Sequence, residues 1–301
     1  MKQQLFSVLF AALLATSSTH IYAYEYQYGS YSEATLKKAQ AGDAEAQNTI
    51  GDGYYEGNGI EQDYEKAFEW YKKAADKGHL EAMNSLAYMY ENGDVGDADI
   101  VQAEKWYKKA ADKGHALSQY MLSYLYRDNE EFQNKKLYRE YLIKAADNGH
   151  DPAQNELAYN YEKGQYGFKE NINAAVKYYQ FAVKQGNVYA MNNLAILYEN
   201  GDGVEQNITE AVRLYEKSFE SGNVISAYNL GYLYQNNELV KKDYKKAVVY
   251  YEYVLENTDS DEDITDTLSQ LIEIYQQGGY GVKKDLQKVK KYQKMLKEYE
   301  G

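Results

Sequence analysis

The ten residues WYKKAADKGH stand at positions 70–79 and again, unchanged, at 106–115, and a degraded copy, KAADNGH, occupies 144–150. Catalytic groups have no reason to recur down a chain at a fixed spacing, whereas a unit that stacks on its own kind does. With the glycine of the KGH element as a ruler mark, marks fall at Gly42, Gly78, Gly114, Gly149, Gly186 and Gly222, at intervals of 36, 36, 35, 37 and 36. Eight residues after each mark stands an aliphatic residue: Ile50, Leu86, Leu122, Leu157, Leu194 and Leu230. The next position is always small, as Gly51, Ala87, Ser123, Ala158, Ala195 and Gly231. Twelve after the mark is always tyrosine: Tyr54, Tyr90, Tyr126, Tyr161, Tyr198 and Tyr234.

Offsets of +4, +8 and +12 share one face of an α-helix. The +4 residues are also small (Ala46, Ala82, Ser118, Ala153, Ala190 and Ser226), so this first helix can approach a neighbour closely. A glycine-bearing turn such as EGNG (56–59) or ENGDG (199–203) follows, suited to positive φ. A second helix then reads, in one unit, DYEKAFEWYKKAADKG (63–78). Ala67, Trp70, Tyr71 and Ala74 fall on its inner face, Asp63 is placed to cap it and Gly78 to end it. A pair of helices closes no core alone. Stacked on neighbours it does, which predicts an all-α, right-handed α-solenoid of stacked antiparallel helix pairs.

The pattern A-x-x-x-L-[small]-x-x-Y-x-x-G, a loop, then A-x-x-W-Y-x-K-A-A-D-x-G is clearest at 82–93 and 103–114. It closely resembles the Sel-one-like repeat (SLR) family, a branch of the tetratricopeptide superfamily. The resemblance is specific for fold and nearly silent on activity. Residues 24–42 read as an N-terminal segment and capping helix, 43–258 as six SLR units, and 259–301 as a seventh, divergent unit with a lysine-rich closing helix. The third unit departs from the pattern, with Tyr138 in place of the alanine and a glycine-free loop, RDNEEFQNKK (127–136). NTDSDED (257–263) is an insertion at which a bend or break in the stack is expected.

Residues 1–23 read as a bacterial signal peptide. Lys2 supplies the charge, Leu5 to Ala15 the apolar run, and Ile21-Tyr22-Ala23 a cleavage site after Ala23. The run falls short of the ~20 residues a membrane span needs, so no membrane insertion is expected after cleavage. With no cysteine anywhere, neither a lipid-modified anchor nor a disulfide framework is available. Export to the periplasm or beyond the cell is the expectation. A net charge of −13 argues against nucleic acid or an anionic membrane as partner.

The residues offer little chemistry. His79, His115 and His150 each follow a ruler glycine, and equivalent places in neighbouring repeats stand roughly 10 Å or more apart. Zinc needs its ligands at ~2 Å, so the three histidines cannot share a metal and read as caps of the turn. Asp259, Asp261 and Asp263 start like a calcium loop, but Ile264 and Gln270 stand where glycine and glutamate are needed. No Cys, no G-x-S-x-G serine and no spare histidine is present to build a nucleophile. No catalytic residue, metal site or cofactor is assigned.

A second stripe runs along the first helix at +6, +10 and +13, within ~60° of arc and opposite the first. By the resemblance this face lines the concave groove of the solenoid. Its candidate ligand-binding residues are Asn48 in the first unit, Asn84, Tyr88 and Glu91 in the second, and Tyr120, Tyr124 and Arg127 in the third. The later units supply Asn155, Tyr159 and Glu162, then Asn192 and Glu199, then Tyr228 and Tyr232. Asparagine amides can pair with a peptide backbone, tyrosines give rigid contact area, and glutamates favour a neutral or basic partner. The competing reading is that the +6 asparagines bond a neighbouring turn and the +10 tyrosines pack between first helices.

The leading expectation is therefore an exported, non-catalytic scaffold for a protein or extended peptide, in envelope assembly or host interaction. An envelope hydrolase or β-lactam-binding SLR protein is the alternative from another class. An inhibitor or immunity-type protein for one secreted enzyme is the third.

Overall fold

The computed structural model describes residues 31–299, so the signal-peptide reading of 1–23 lies outside the described residues. Among the described residues it holds fifteen α-helices and no strand. A short α1 (Glu33–Gln40) precedes seven hairpins. Their first helices are α2 (Ala44–Glu56), α4 (Leu80–Asn92), α6 (Ala116–Asp128), α8 (Asp151–Lys163), α10 (Val188–Asn200), α12 (Val224–Asn236) and α14 (Asp261–Gln277). Their second helices are α3 (Tyr64–Asp76), α5 (Ile100–Ala111), α7 (Lys135–Asp147), α9 (Ile172–Lys184), α11 (Ile208–Glu220), α13 (Tyr244–Asn257) and α15 (Leu286–Tyr299).

The chain divides into two compact units between Ala153 and Gln154, a division that falls inside α8. In the first unit each helix from α1 to α7 packs on the next, and in the second each helix from α9 to α15 does the same. Each unit is thus a run of stacked helix hairpins. Among the described residues no helix is long and apolar enough to cross a membrane.

The helix ends follow from single residues. All six ruler glycines hold φ between 88° and 99°, a region most side chains avoid. The second helices α3, α5, α7, α9, α11 and α13 are N-capped by Asp63, Asp99, Asn134, Asn171, Asn207 and Asp243. Asp43, Asn187 and Asn223 cap first helices, and His79 and His115 do the same in equivalent places. His150 Nδ1 likewise accepts from the Ala153 amide at 3.2 Å. The histidines are caps, as their spacing implied. Because His79 accepts through Nδ1, its hydrogen sits on Nε2 and is directed to Glu45 Oε2 at 2.9 Å.

Packing explains the small +9 residue. Tyr71 and Tyr251 are fully buried on second helices. A Cβ on Gly51 would stand 2.6 Å from the Tyr71 ring, and one on Gly231 2.7 Å from the Tyr251 ring. The tyrosine occupies the space that a side chain would need. Of the bend or break expected at 257–263, a break does not occur. Ser260 caps α14, α13 packs on α14, and the first helices α12 and α14 touch.

Candidate functional site

Tyrosine buried on a second helix brings a hydroxyl that must find a partner. It finds one on its own first helix. The hydroxyl of Tyr71 donates to Asp52 Oδ1 (2.9 Å), Tyr107 to Glu91 Oε2 (2.8 Å), Tyr179 to Glu162 Oε2 (2.9 Å) and Tyr215 to Glu199 Oε2 (2.9 Å). Tyr251 makes the same bond to Gln235 Oε1 at 2.9 Å. Burial raises the carboxyl pKa of Glu91 and Glu199, and the tyrosine hydrogen bond opposes part of that rise. The third hairpin is the exception that fits: Leu142 replaces the tyrosine, and Arg127 replaces the acid. Arg127 instead grips Asp128 through two bonds of 2.7 Å and lies 4.1 Å from the Tyr124 ring centre.

The +6 asparagines are placed between first helices. Asn84 and Asn192 are 0% and 2% exposed, and Asn48 is buried as well. Ser118, at +4 of the next first helix, donates to Asn84 Oδ1 at 2.9 Å. Ser226 donates to Asn192 Oδ1 at 3.0 Å, and Asn229 adds a second bond to the same atom at 2.9 Å. Asn155 Oδ1 accepts from Asn193 at 3.2 Å. Asn84, Asn155 and Asn192 thus latch one repeat to the next, whereas, among the described residues, Asn48 bonds only Asp52 of its own helix.

The expected open stripe is therefore corrected. Asn48, Asn84, Asn192, Tyr88, Tyr120 and Arg127 are buried, and cannot meet a ligand as they stand. A first helix inside a stack has a neighbouring first helix on its flank, which closes the +6 side and leaves a narrower strip open. Asn155, Tyr124, Tyr159, Tyr228, Glu91, Glu162 and Glu199 are half-buried. Tyr232 is 36% exposed.

Within each unit the stripe residues make local contacts of their own. In the first unit Tyr120 and Tyr124 join through their hydroxyls at 2.9 Å with their rings edge-on, and the Tyr120 ring meets the His150 ring at 4.5 Å between centres. In the second unit Lys163 pairs with Glu162 at 2.6 Å and lies 5.8 Å from the Tyr159 ring centre. The tyrosine–carboxylate pairs escaped the sequence reading, although a signal was present: tyrosine and an oxygen acceptor change together from unit to unit, down to Leu142 with Arg127.

Comparison with known proteins agrees with this architecture. A family profile described as Sel1 repeat matches residues 44–79, 80–115, 116–150, 151–187, 188–223, 224–253 and 268–288. Among solved structures, the chain is similar to a Sel1 repeat protein from Oxalobacter formigenes, at 29% identity over 72% of this chain and 89% of that one, with a TM-score of 0.66. It is also similar to a protective antigen of uropathogenic Escherichia coli strains displaying an SLR fold, at 27% identity and a TM-score of 0.58. That match covers 88% of this chain and 64% of the antigen, a little under two thirds of its length. No curated protein sequence matches.

Proposed function

The chain belongs to the Sel1 repeat family, and from that premise we propose that it is an exported, non-catalytic scaffold that holds a protein or extended peptide on the first-helix face of its repeats. One observation carries the reading. The second-helix tyrosines at the repeated position, Tyr71, Tyr107, Tyr179, Tyr215 and Tyr251, are fully buried, whereas Tyr124, Tyr159, Tyr228 and Tyr232 on first helices keep part of their surface open. Partly open tyrosine is the residue that binding surfaces favour, since it offers contact area at low conformational cost. Half-buried Glu162 beside Tyr159, with Asp266 and Asp263 beside Tyr228, suits a neutral or basic partner.

The non-catalytic reading is supported by where the perturbed acids sit. Glu91 and Glu199 have raised pKa values, which elsewhere would suggest acid–base chemistry. Each occupies the same repeat position and meets the same buried tyrosine hydroxyl, so packing accounts for both. Export, with cleavage after Ala23, is part of the proposal. Its check is the N-terminus of the mature protein, expected at Tyr24.

A photo-crosslinking amino acid placed in the full chain tests the face. In the first unit it replaces Tyr124 or, on a second helix, Val101. In the second unit it replaces Tyr159 or Tyr232 and, on a second helix, Val249. The two valines are 62% and 61% exposed and serve as controls. Crosslinks from the three tyrosine positions and none from the valines are expected. Crosslinks from Val101 and Val249 alone reject the proposal.

A further inference from the structure

The latch has a rule, and one junction of the second unit breaks it. The alignment of α12 with α14 is fixed by Tyr234 and Tyr275. Each accepts a lysine ammonium, from Lys246 at 3.1 Å and Lys288 at 2.6 Å. Each also stacks on a second-helix ring, Tyr250 at 6.1 Å and Tyr292 at 6.0 Å between centres. Eight residues before Tyr234 is Ser226, and eight before Tyr275 is Thr267. Ser226 gives its hydroxyl to Asn192, but at the next junction the +6 position is held by Tyr228 in place of asparagine. Thr267 is 0% exposed and its Oγ1 has no hydrogen-bond partner.

A fully buried hydroxyl left unpaired is costly, and such departures from a molecule's own packing rule collect at functional sites. The surroundings of Tyr228 say what kind. One turn before Thr267, Asp263 Oδ1 is also buried without a partner, while its other oxygen accepts from Thr258 at 3.1 Å. Among the described residues the Asp266 carboxylate makes no hydrogen bond and no ion pair, and burial raises its pKa, as it does for Asp263. Burial also raises the Tyr228 hydroxyl, with Asp266, Tyr232 and Asp263 adding to the rise. Two carboxylates have thus lost water without gaining a cation, beside two aromatic rings of which Tyr232 faces solvent. What the junction lacks is a cationic, multiply donating, planar group. Guanidinium offers five N–H donors, a permanent charge and a flat face that lies on aromatic rings.

We propose that the α12–α14 junction receives an arginine side chain of a protein partner, its guanidinium seated against Tyr228 and Tyr232 and held by Asp266, with Asp263 adding charge behind it. This rests on reading the first-helix face as protein-binding, and gives that face one anchor of stated chemistry.

The test uses the full chain and the peptide acetyl-Gly-Arg-Gly-amide, followed through the amide resonances of Asp266 and Thr267. Its lysine and citrulline counterparts are the controls. Saturable shifts with the arginine peptide, about tenfold weaker binding of the lysine peptide and none of the citrulline peptide are expected. Asp266→Asn should weaken arginine binding by about tenfold while raising the melting temperature by ~2 °C, since it removes a desolvated charge. Glu130→Gln with Glu131→Gln, which removes two exposed charges elsewhere, should leave binding unchanged. Equal binding of citrulline, unchanged affinity in Asp266→Asn, or a lowered melting temperature in that variant overturns the proposal. Crosslinking at Tyr159 that persists while the titration fails discards the arginine site alone. A saturable titration without any first-helix crosslink discards the wider face alone.

Discussion

Within the second unit, the α10–α12 junction and the α12–α14 junction are built on the same helix face with the same +4 hydroxyl. At the first, Ser226 and Asn229 both donate to Asn192. At the second, Tyr228 replaces the asparagine and Thr267 is left without a partner. The first unit shows the complementary case: Asn48 Oδ1 is buried and unpartnered because the +4 residue of the next first helix is Ala82, with no hydroxyl to give. Serine paired with asparagine satisfies both groups; without the serine, Asn155 Oδ1 takes the Asn193 amide instead, whereas Asn48 Oδ1 and the hydroxyl of Thr267 are left bare. Register between repeats is therefore held by polar pairs as well as by shape, and each pair can be present, half present or absent.

The largest expected effect comes from breaking the intact junction. Asn192→Ala strips the buried Asn229 amide of its acceptor and leaves the Ser226 hydroxyl only Ser218 Oγ, at 2.8 Å, and should lower stability by about 2 kcal/mol in denaturant unfolding. The same substitution at a position that only lined an open groove would change stability by a few tenths. Repairing the half-built junction of the first unit should act in the other direction. Ala82→Ser offers Asn48 Oδ1 a donor and is expected to add ~0.5–1 kcal/mol.

The tyrosine–carboxylate pairs give a smaller, pH-dependent effect. Burial raises the Glu91 pKa in the folded state, so the fold binds a proton there more readily than the unfolded chain does. The stability this contributes is present below the ordinary carboxylate value and is lost as pH rises through the raised value. Glu91→Gln keeps an acceptor for Tyr107, as Gln235 already does for Tyr251. It should flatten that part of the stability–pH curve while leaving the melting temperature at low pH nearly unchanged.

Fold was legible in the sequence because it is written in large, repeated terms. Six tyrosines, six aliphatic residues and six glycines at fixed offsets leave one arrangement of hairpins, and caps such as Asp63 and Gly78 follow from residue type alone. The candidate face was harder to read. A helical wheel places +6 opposite the core stripe, but it treats a helix as having one neighbour. In a stack Asn84 and Asn192 face the next first helix, and only coordinates reveal that flank. The insertion at 257–263 was partly legible for a related reason. Length suggested a bend or break, and Ser260 restarts the helix without a break. Thr267 drew no notice, and Asp263 was weighed only as part of a calcium loop, because an unsatisfied atom is visible only once its neighbours are placed.

The central claim is that a +4 hydroxyl stabilises a junction when it meets a +6 asparagine and weakens it when it does not. Thermal unfolding of Ser226→Ala and Thr267→Val in the full chain measures this directly, with both changes in the same unit. The account predicts opposite signs: a loss of about 1–2 kcal/mol for Ser226→Ala and a gain of up to ~1 kcal/mol for Thr267→Val. Losses of similar size in both variants would contradict it.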